Sequence, residues 1–165
     1  MSDPVPEPAS AHSIGVILNG SEVVLSTQPH EMLLEVLRRQ GLVGCRESCG
    51  EGVCGTCTVL MDHRTVASCI LLAELADGTT IETIEGLGRP GMLSIMQEAF
   101  IKEAGFQCGF CTPGMILSAT QLLRENPDPT DDEIAHYLAG NICRCGAYPE
   151  IRNAVRRAAT MTRLQ

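Results

Sequence analysis

CGEGVCGTCTVLMDHRTVASC, residues 49–69, decides how the rest of the chain reads. Cys49, Cys54 and Cys57 follow a C-x4-C-x2-C spacing, and Cys69 comes twelve positions after Cys57. That is the spacing of a plant-type [2Fe–2S] site. Two irons need four thiolates, and the bridging sulfides accept hydrogen bonds from backbone N–H groups. The loop must therefore wrap such a cluster tightly, with its amides turned inward. Gly50, Gly52 and Gly55 lie between the ligands, where a left-handed backbone or a close approach is required. Zinc is the rival metal, although zinc sites more often pair two C-x2-C knuckles. A Rieske centre needs two His ligands, and His63 is the only His near this stretch. Cys45 falls outside the register and reads as a non-ligand thiol.

Outward from this loop the pattern is α+β. Upstream, Asn19-Gly20 separates apolar runs at 14–18 and 23–25 and predicts a hairpin. Pro29 is expected to open a helix whose buried stripe is Leu33, Leu34, Val36 and Leu37, with Gly41 ending it. Downstream, residues 58–61, 64–67 and 79–84 read as strands, with Asp62-His63 as a turn. The glycine-rich segment 86–91 then marks a boundary. Beyond it come four helical patterns: 94–104, one from Thr112-Pro113 to about 125, one opened by Thr130-x-x-Glu133 and ending near Gly140, and a last one from Pro149 to about 161. Four short helices suggest a compact bundle. The chain divides into a disordered tail at 1–12, a cluster-binding domain at 13–86 and a helical domain at 87–165.

The remaining cysteines lie in the helical part. Cys108-x2-Cys111 precedes Thr112-Pro113, and Cys143-x-Cys145 precedes Tyr148-Pro149. Helix N-termini carry partial positive charge and unpaired N–H groups. Two of them meeting at one site would stabilise thiolates and an anionic cluster. Spacing alone leaves zinc open here as well.

Composition narrows the function classes. Aromatics are 3% with no Trp, and the net charge is −8. Base stacking and phosphate binding both want the opposite, so no nucleic-acid partner is expected. No apolar run approaches the roughly 20 residues of a membrane span. The first dozen residues hold three prolines and two acids and lack the marks of a secretory signal. The expected compartment is the cytoplasm, where nine cysteines are better explained by metal than by disulfides.

Three segments carry a family resemblance. QCGFCTPGM at 107–115 and GNICRCGAYPEI at 140–151 resemble the two signatures of the iron–sulfur subunit of the xanthine oxidase family of molybdenum hydroxylases. CGEGVCGTCTV at 49–59 resembles that family's ferredoxin-like loop, and TIEGL at 83–87 its interdomain segment. The resemblance implies an N-terminal β-grasp domain, plant-type ferredoxin-like, with a cluster on Cys49, Cys54, Cys57 and Cys69. It implies an all-α four-helix-bundle domain with a buried cluster on Cys108, Cys111, Cys143 and Cys145. It places Gln107 and Cys145 near a molybdopterin held by a large catalytic subunit. Electrons would leave the molybdenum through the buried cluster, then the exposed one, and reach FAD or another acceptor such as a cytochrome.

Two departures qualify it. Cys143-Arg144-Cys145-Gly146-Ala147-Tyr148 stands where the family's commonest signature reads C-R-C-T-G-Y. This variant resembles aldehyde and N-heterocycle branches, some without a flavin subunit and some periplasmic. Cys45 is the second departure. A free-standing soluble two-cluster ferredoxin is the alternative function, and a structural zinc protein a third.

Overall fold

In the computed structural model, residues 12–164 are described. Apart from His12, the expected tail lies outside them. Strand β1 (His12–Leu18) runs antiparallel to β2 (Ser21–Thr27), with Ile14 opposite Leu25 and Val16 opposite Val23. Asn19 and Gly20 turn the hairpin at positive φ, 50° and 82°, as the Asn-Gly pair predicts. Alternation puts Ile14, Val16 and Leu18 inside. Strands β3 (Thr58–Met61), β4 (Arg64–Ala67) and β5 (Thr80–Glu82) complete one mixed sheet in the order β2-β1-β5-β3-β4. Only the β1–β5 pair is parallel. Ile81 on central β5 is fully buried.

Helix α1 (Leu33–Arg39) buries Leu33, Leu34, Val36 and Leu37 in the core behind the sheet. Pro29 does not open it. Pro29 lies in a turn closed by the Glu31 amide on the Gln28 carbonyl (3.0 Å). Met32 is held extended by its bridge to Leu72, and the Glu35 carboxylate accepts the Met32 N–H at 2.9 Å. A satisfied amide at that point fixes the helix start four residues after the proline.

The second half holds α2 (Ile95–Lys102), α3 (Thr112–Glu125), α4 (Asp131–Tyr137) and α5 (Tyr148–Arg163). Ser94 with Gln97 caps α2, and Thr130 with Glu133 caps α4, both as reciprocal boxes. Thr112 is the first residue of α3 rather than its cap. Cys111 takes the cap position, and the Thr112 hydroxyl is buried without a hydrogen-bond partner. A 3-10 turn (Leu138–Gly140) continues α4 to the predicted stop. Phe100, Met115, Ile134, Ile151 and Val155 form the fully buried centre of this half, and Ala99, Ala154 and Ala158 are buried with them. Alanines at these positions let α2 and α5 approach closely. Among the described residues, no helix is long and apolar enough to cross a membrane.

The halves are joined by more than the segment between them. Helix α3 lies against β3 and β4. Arg124 grips the Glu82 carboxylate with two bonds of 2.7 and 3.2 Å. Within the first half, the Asn19 side chain accepts from the Thr83 amide (2.8 Å) and Glu85 accepts from the Gly44 amide (2.8 Å), which fixes the segment leading to the second half. At the closest point there is no room for a side chain: a Cβ on Gly114 would sit 2.2 Å from the Gly55 carbonyl oxygen.

Gly114→Ala tests that contact. In an open helix the change would stabilise by roughly 0.5–1 kcal/mol, whereas overpacking costs about 1–3 kcal/mol. The expected result is a net loss of stability in guanidinium unfolding of the cluster-loaded protein. A gain would mean that the halves are not in backbone contact there.

Candidate metal centres

The first loop gathers its thiols in pairs. Cys49 and Cys54 are hydrogen-bonding neighbours, as are Cys57 and Cys69, and Cys49 acts electrostatically on Cys69. Gly50, Gly52 and Gly55 adopt positive φ (67°, 75° and 68°), which folds the loop around them. Its amides turn toward sulfur. The Glu51 N–H donates to Cys49 Sγ at 3.4 Å, and this bond, with the Cys54 thiol and the amides of Cys54 and Val53, lowers the Cys49 pKa to about 6. Burial, followed by the Cys57 thiol, pushes Cys69 up to about 11.

The second set pairs in the same way, Cys108 with Cys145 and Cys111 with Cys143. The amide of Phe110 and then the Cys145 thiol hold Cys108 low. Burial opposes ionisation of Cys143, but the amides of Ala147, Cys145 and Gly146 and the Cys111 thiol outweigh it. Ala147 is the cap of α5, so helix-end amides do reach this sulfur. Burial and the neighbouring Cys143 push Cys111 up to about 12.

Among the described residues, no three His, Cys, Asp or Glu side chains lie close enough to hold one metal ion. A single zinc needs four ligands about one centre at 2.3 Å. Two thiols beside two thiols, lined by amides, is instead the donor set that two sulfide-bridged irons require. The residues fit a [2Fe–2S] group in each set.

Cys45 takes no part in either set. Its thiol is buried in the first core, 3.3 Å from the Cys57 carbonyl, to which it donates, and 3.1 Å from Ser68 Oγ. Burial raises its pKa to about 11. An un-ionised thiol packed in this way is a small core side chain.

The two sets are stitched together. The Ile142 amide, one residue before Cys143, donates to the Cys54 carbonyl at 2.9 Å. Asn141 Nδ2 donates to the Gly55 carbonyl (2.9 Å) and contacts Thr58 Oγ1 (3.3 Å), while its Oδ1 accepts from Ser118 (2.8 Å). Arg46 reaches from the first loop to the carbonyls of Gly109 and Phe110. Sequence reasoning missed all three residues, because the partners that link the two sets lie 63 or more positions away.

Exposure differs between the two sets in the chain alone. In the first set Cys54, Cys57 and Cys69 are buried and Cys49 is half-buried. In the second, which the resemblance describes as buried, Cys111 and Cys143 are buried but Cys108 and Cys145 are exposed. Gln107 is exposed beside Cys108. So are Phe106, Phe110, Ile142 and Tyr148, each 40–48% accessible.

Known proteins share this arrangement. Residues 16–84 match the 2Fe-2S iron-sulfur cluster binding domain family, and residues 83–156 match the [2Fe-2S] binding domain family. The chain is 46% identical over 147 residues to the nicotinate dehydrogenase small FeS subunit of Eubacterium barkeri, covering 88% of this chain and 94% of the relative. It superimposes on quinoline 2-oxidoreductase from Pseudomonas putida 86 with a TM-score of 0.89 and 39% identity, over 93% of this chain and 97% of that one. On the aldehyde oxidoreductase from Desulfovibrio desulfuricans the TM-score is also 0.89, at 38% identity, and 92% of this chain spans 17% of that chain.

Replacing single thiols separates the ligand register from its neighbour. Cys49→Ser is expected to remove the first cluster's iron and destabilise the first half, since metal binding is linked to folding. Cys45→Ser should keep the iron content of the unmodified chain. Iron analysis with visible absorption reads both, and the reverse pattern would move the register to Cys45.

Proposed function

Because this chain belongs to the iron–sulfur small subunits of the xanthine oxidase family of molybdenum hydroxylases, we propose that it takes electrons from a molybdopterin centre in a large partner subunit. The chain is the electron-transfer part of an oxidoreductase, not the part that binds substrate. In this reading Cys108, Cys111, Cys143 and Cys145 hold the entry cluster, and Cys49, Cys54, Cys57 and Cys69 the exit cluster. The clusters supply the one-electron chemistry, and the chain supplies ligation, orientation and electrostatics. FAD or another carrier, such as a cytochrome, receives the electrons. The finer architecture we propose is a β-grasp unit at 13–86 followed by a four-helix bundle at 87–165. It is supported by the sheet order and by the single apolar core that α2–α5 share.

One observation carries the partner. Cys108 and Cys145 are exposed, and so are Gln107 and the apolar Phe106, Phe110, Ile142 and Tyr148, each within three residues of one of the two thiols in the chain. Leaving such a rim in water costs free energy, and exposed apolar rims of this kind mark surfaces that another protein covers. A free-standing two-cluster ferredoxin would have no use for it. The rim suits a large subunit that brings its molybdopterin to Gln107 and Cys145. The aldehyde oxidoreductase in which this fold is 17% of one chain supports a permanent association.

Purified chain is expected to contain about four iron and four acid-labile sulfide per polypeptide, from two binuclear sites. A molybdenum-bearing large subunit should co-purify with it, and Phe110→Asp should release that subunit while the iron stays bound. Stoichiometric zinc, or one cluster's worth of iron, would refute the two-cluster reading. A monomer that passes electrons without any such partner would favour the ferredoxin.

A further inference from the structure

Arg46 is half-buried in the first loop, between Cys45 and Cys49, and its backbone is pinned there. Its N–H donates to the Thr56 carbonyl (3.3 Å), and its carbonyl accepts from Thr56 Oγ1 (3.0 Å). The same Thr56 hydroxyl lies 3.2 Å from Cys54 Sγ. The Arg46 side chain leaves this loop altogether. One of its guanidinium nitrogens donates to the Gly109 carbonyl at 2.6 Å and to the Phe110 carbonyl at 3.1 Å. The guanidinium carbon lies 5.4 Å from the centre of the Phe110 ring, within the range of a cation–π contact. Gly109 and Phe110 are the two residues between Cys108 and Cys111. One side chain therefore bonds the turn inside the second set while its backbone is fixed beside a thiol of the first.

The bonding leaves the charge uncompensated. Arg39, Arg124, Arg156, Arg157 and Arg163 each pair with a carboxylate. Among the described residues Arg46 bonds only neutral carbonyls and a ring. An unpaired, partly desolvated cation acts over several ångströms, because little solvent screens it. Reduction adds negative charge to a cluster, so a fixed cation beside it favours the reduced form.

We propose that Arg46 is a positioning residue that holds the Cys108–Cys111 turn and, by its charge, raises the reduction potential of the second cluster relative to the first. The inference rests on the two-cluster reading above. It makes Arg46 part of what determines where an electron resides once it has entered the chain. A structural fork would need only the hydrogen bonds, whereas this role needs the positive charge.

The experiment is an EPR-monitored redox titration of the full chain carrying both clusters, with iron and sulfide measured first. Arg46→Gln is expected to lower the second cluster's potential more than the first's. In one-electron-reduced protein, the ratio of reduced second to reduced first cluster should fall several-fold. Arg46→Lys, which keeps the charge and loses the planar fork, should restore most of that ratio. Phe110→Leu loosens the guanidinium without altering the loop's carbonyls, and should shift the second potential the same way by less. The proposal is overturned if Arg46→Gln leaves both potentials unchanged, or if Arg46→Lys is as low as Arg46→Gln. If Arg46→Gln cannot hold the second cluster, Phe110→Leu decides: a lowered second potential supports the proposal, and an unchanged one overturns it. Unmodified chain with fewer than about four irons would instead defeat the functional reading on which the inference stands.

Discussion

The contact of backbone with backbone between the two cysteine loops is the constraint on which the rest depends. The Gly55 carbonyl occupies the space a side chain at Gly114 would fill. Asn141 donates to that same carbonyl from the other half, and the Ile142 amide closes on the Cys54 carbonyl. Each of these groups lies within three residues of a proposed ligand. The two sites are thus built as one unit, not as two domains that happen to touch. Electron transfer weakens steeply with distance, so a short and rigid separation is the useful product of this packing. Buried hydrogen bonds are a good way to hold it, because breaking one leaves an unsatisfied polar group at a cost of about 1–3 kcal/mol.

Electrostatics then divides the work within each site. Backbone amides, more than cationic side chains, stabilise the sulfurs: those of Glu51, Val53 and Cys54 at Cys49, and those of Cys145, Gly146 and Ala147 at Cys143. Amides cannot be deprotonated and hold their direction, so they suit a group that must stay anionic through redox cycling. With a net charge of −8, a half-buried cation such as Arg46 that bonds only carbonyls and a ring beside the sites stands out. Other arginines form surface pairs, such as Arg156 with Asp131 and Arg163 with Asp128, which contribute little to stability.

Local signals proved readable, and long-range ones did not. The Asn19-Gly20 turn, the Thr130–Glu133 helix start and the cysteine spacings are local signals. The structure brings together the eight cysteines that spacing selected and leaves Cys45 in the core. Two local rules failed where tertiary contacts intervened. Pro29 could have opened a helix, but the Met32–Leu72 bridge keeps the next residues extended. Thr112 could have capped α3, but the chain enters the helix one residue earlier, at Cys111. Nothing near Arg46, Asn141 or Ile142 announces a partner on the far side of the molecule, because such contacts exist only once both halves have folded.

The uneven exposure of the two sites follows from the same geometry. Packing the loops against each other seals the inner side of each and leaves one outer side apiece. At the first site the outer side is a short glycine-rich rim on which Glu47, Glu51, Val53 and Ile70 are exposed. At the second it is Phe106, Phe110, Ile142 and Tyr148 around two outward thiols. Thiolate-ligated iron in contact with solvent is open to hydrolysis and oxidation, so that side needs a lid. Among the described residues, α2, α3, α4 and α5 all contribute to the core beneath. In the proposed reading, this exposed side is the part of the site that the large subunit covers.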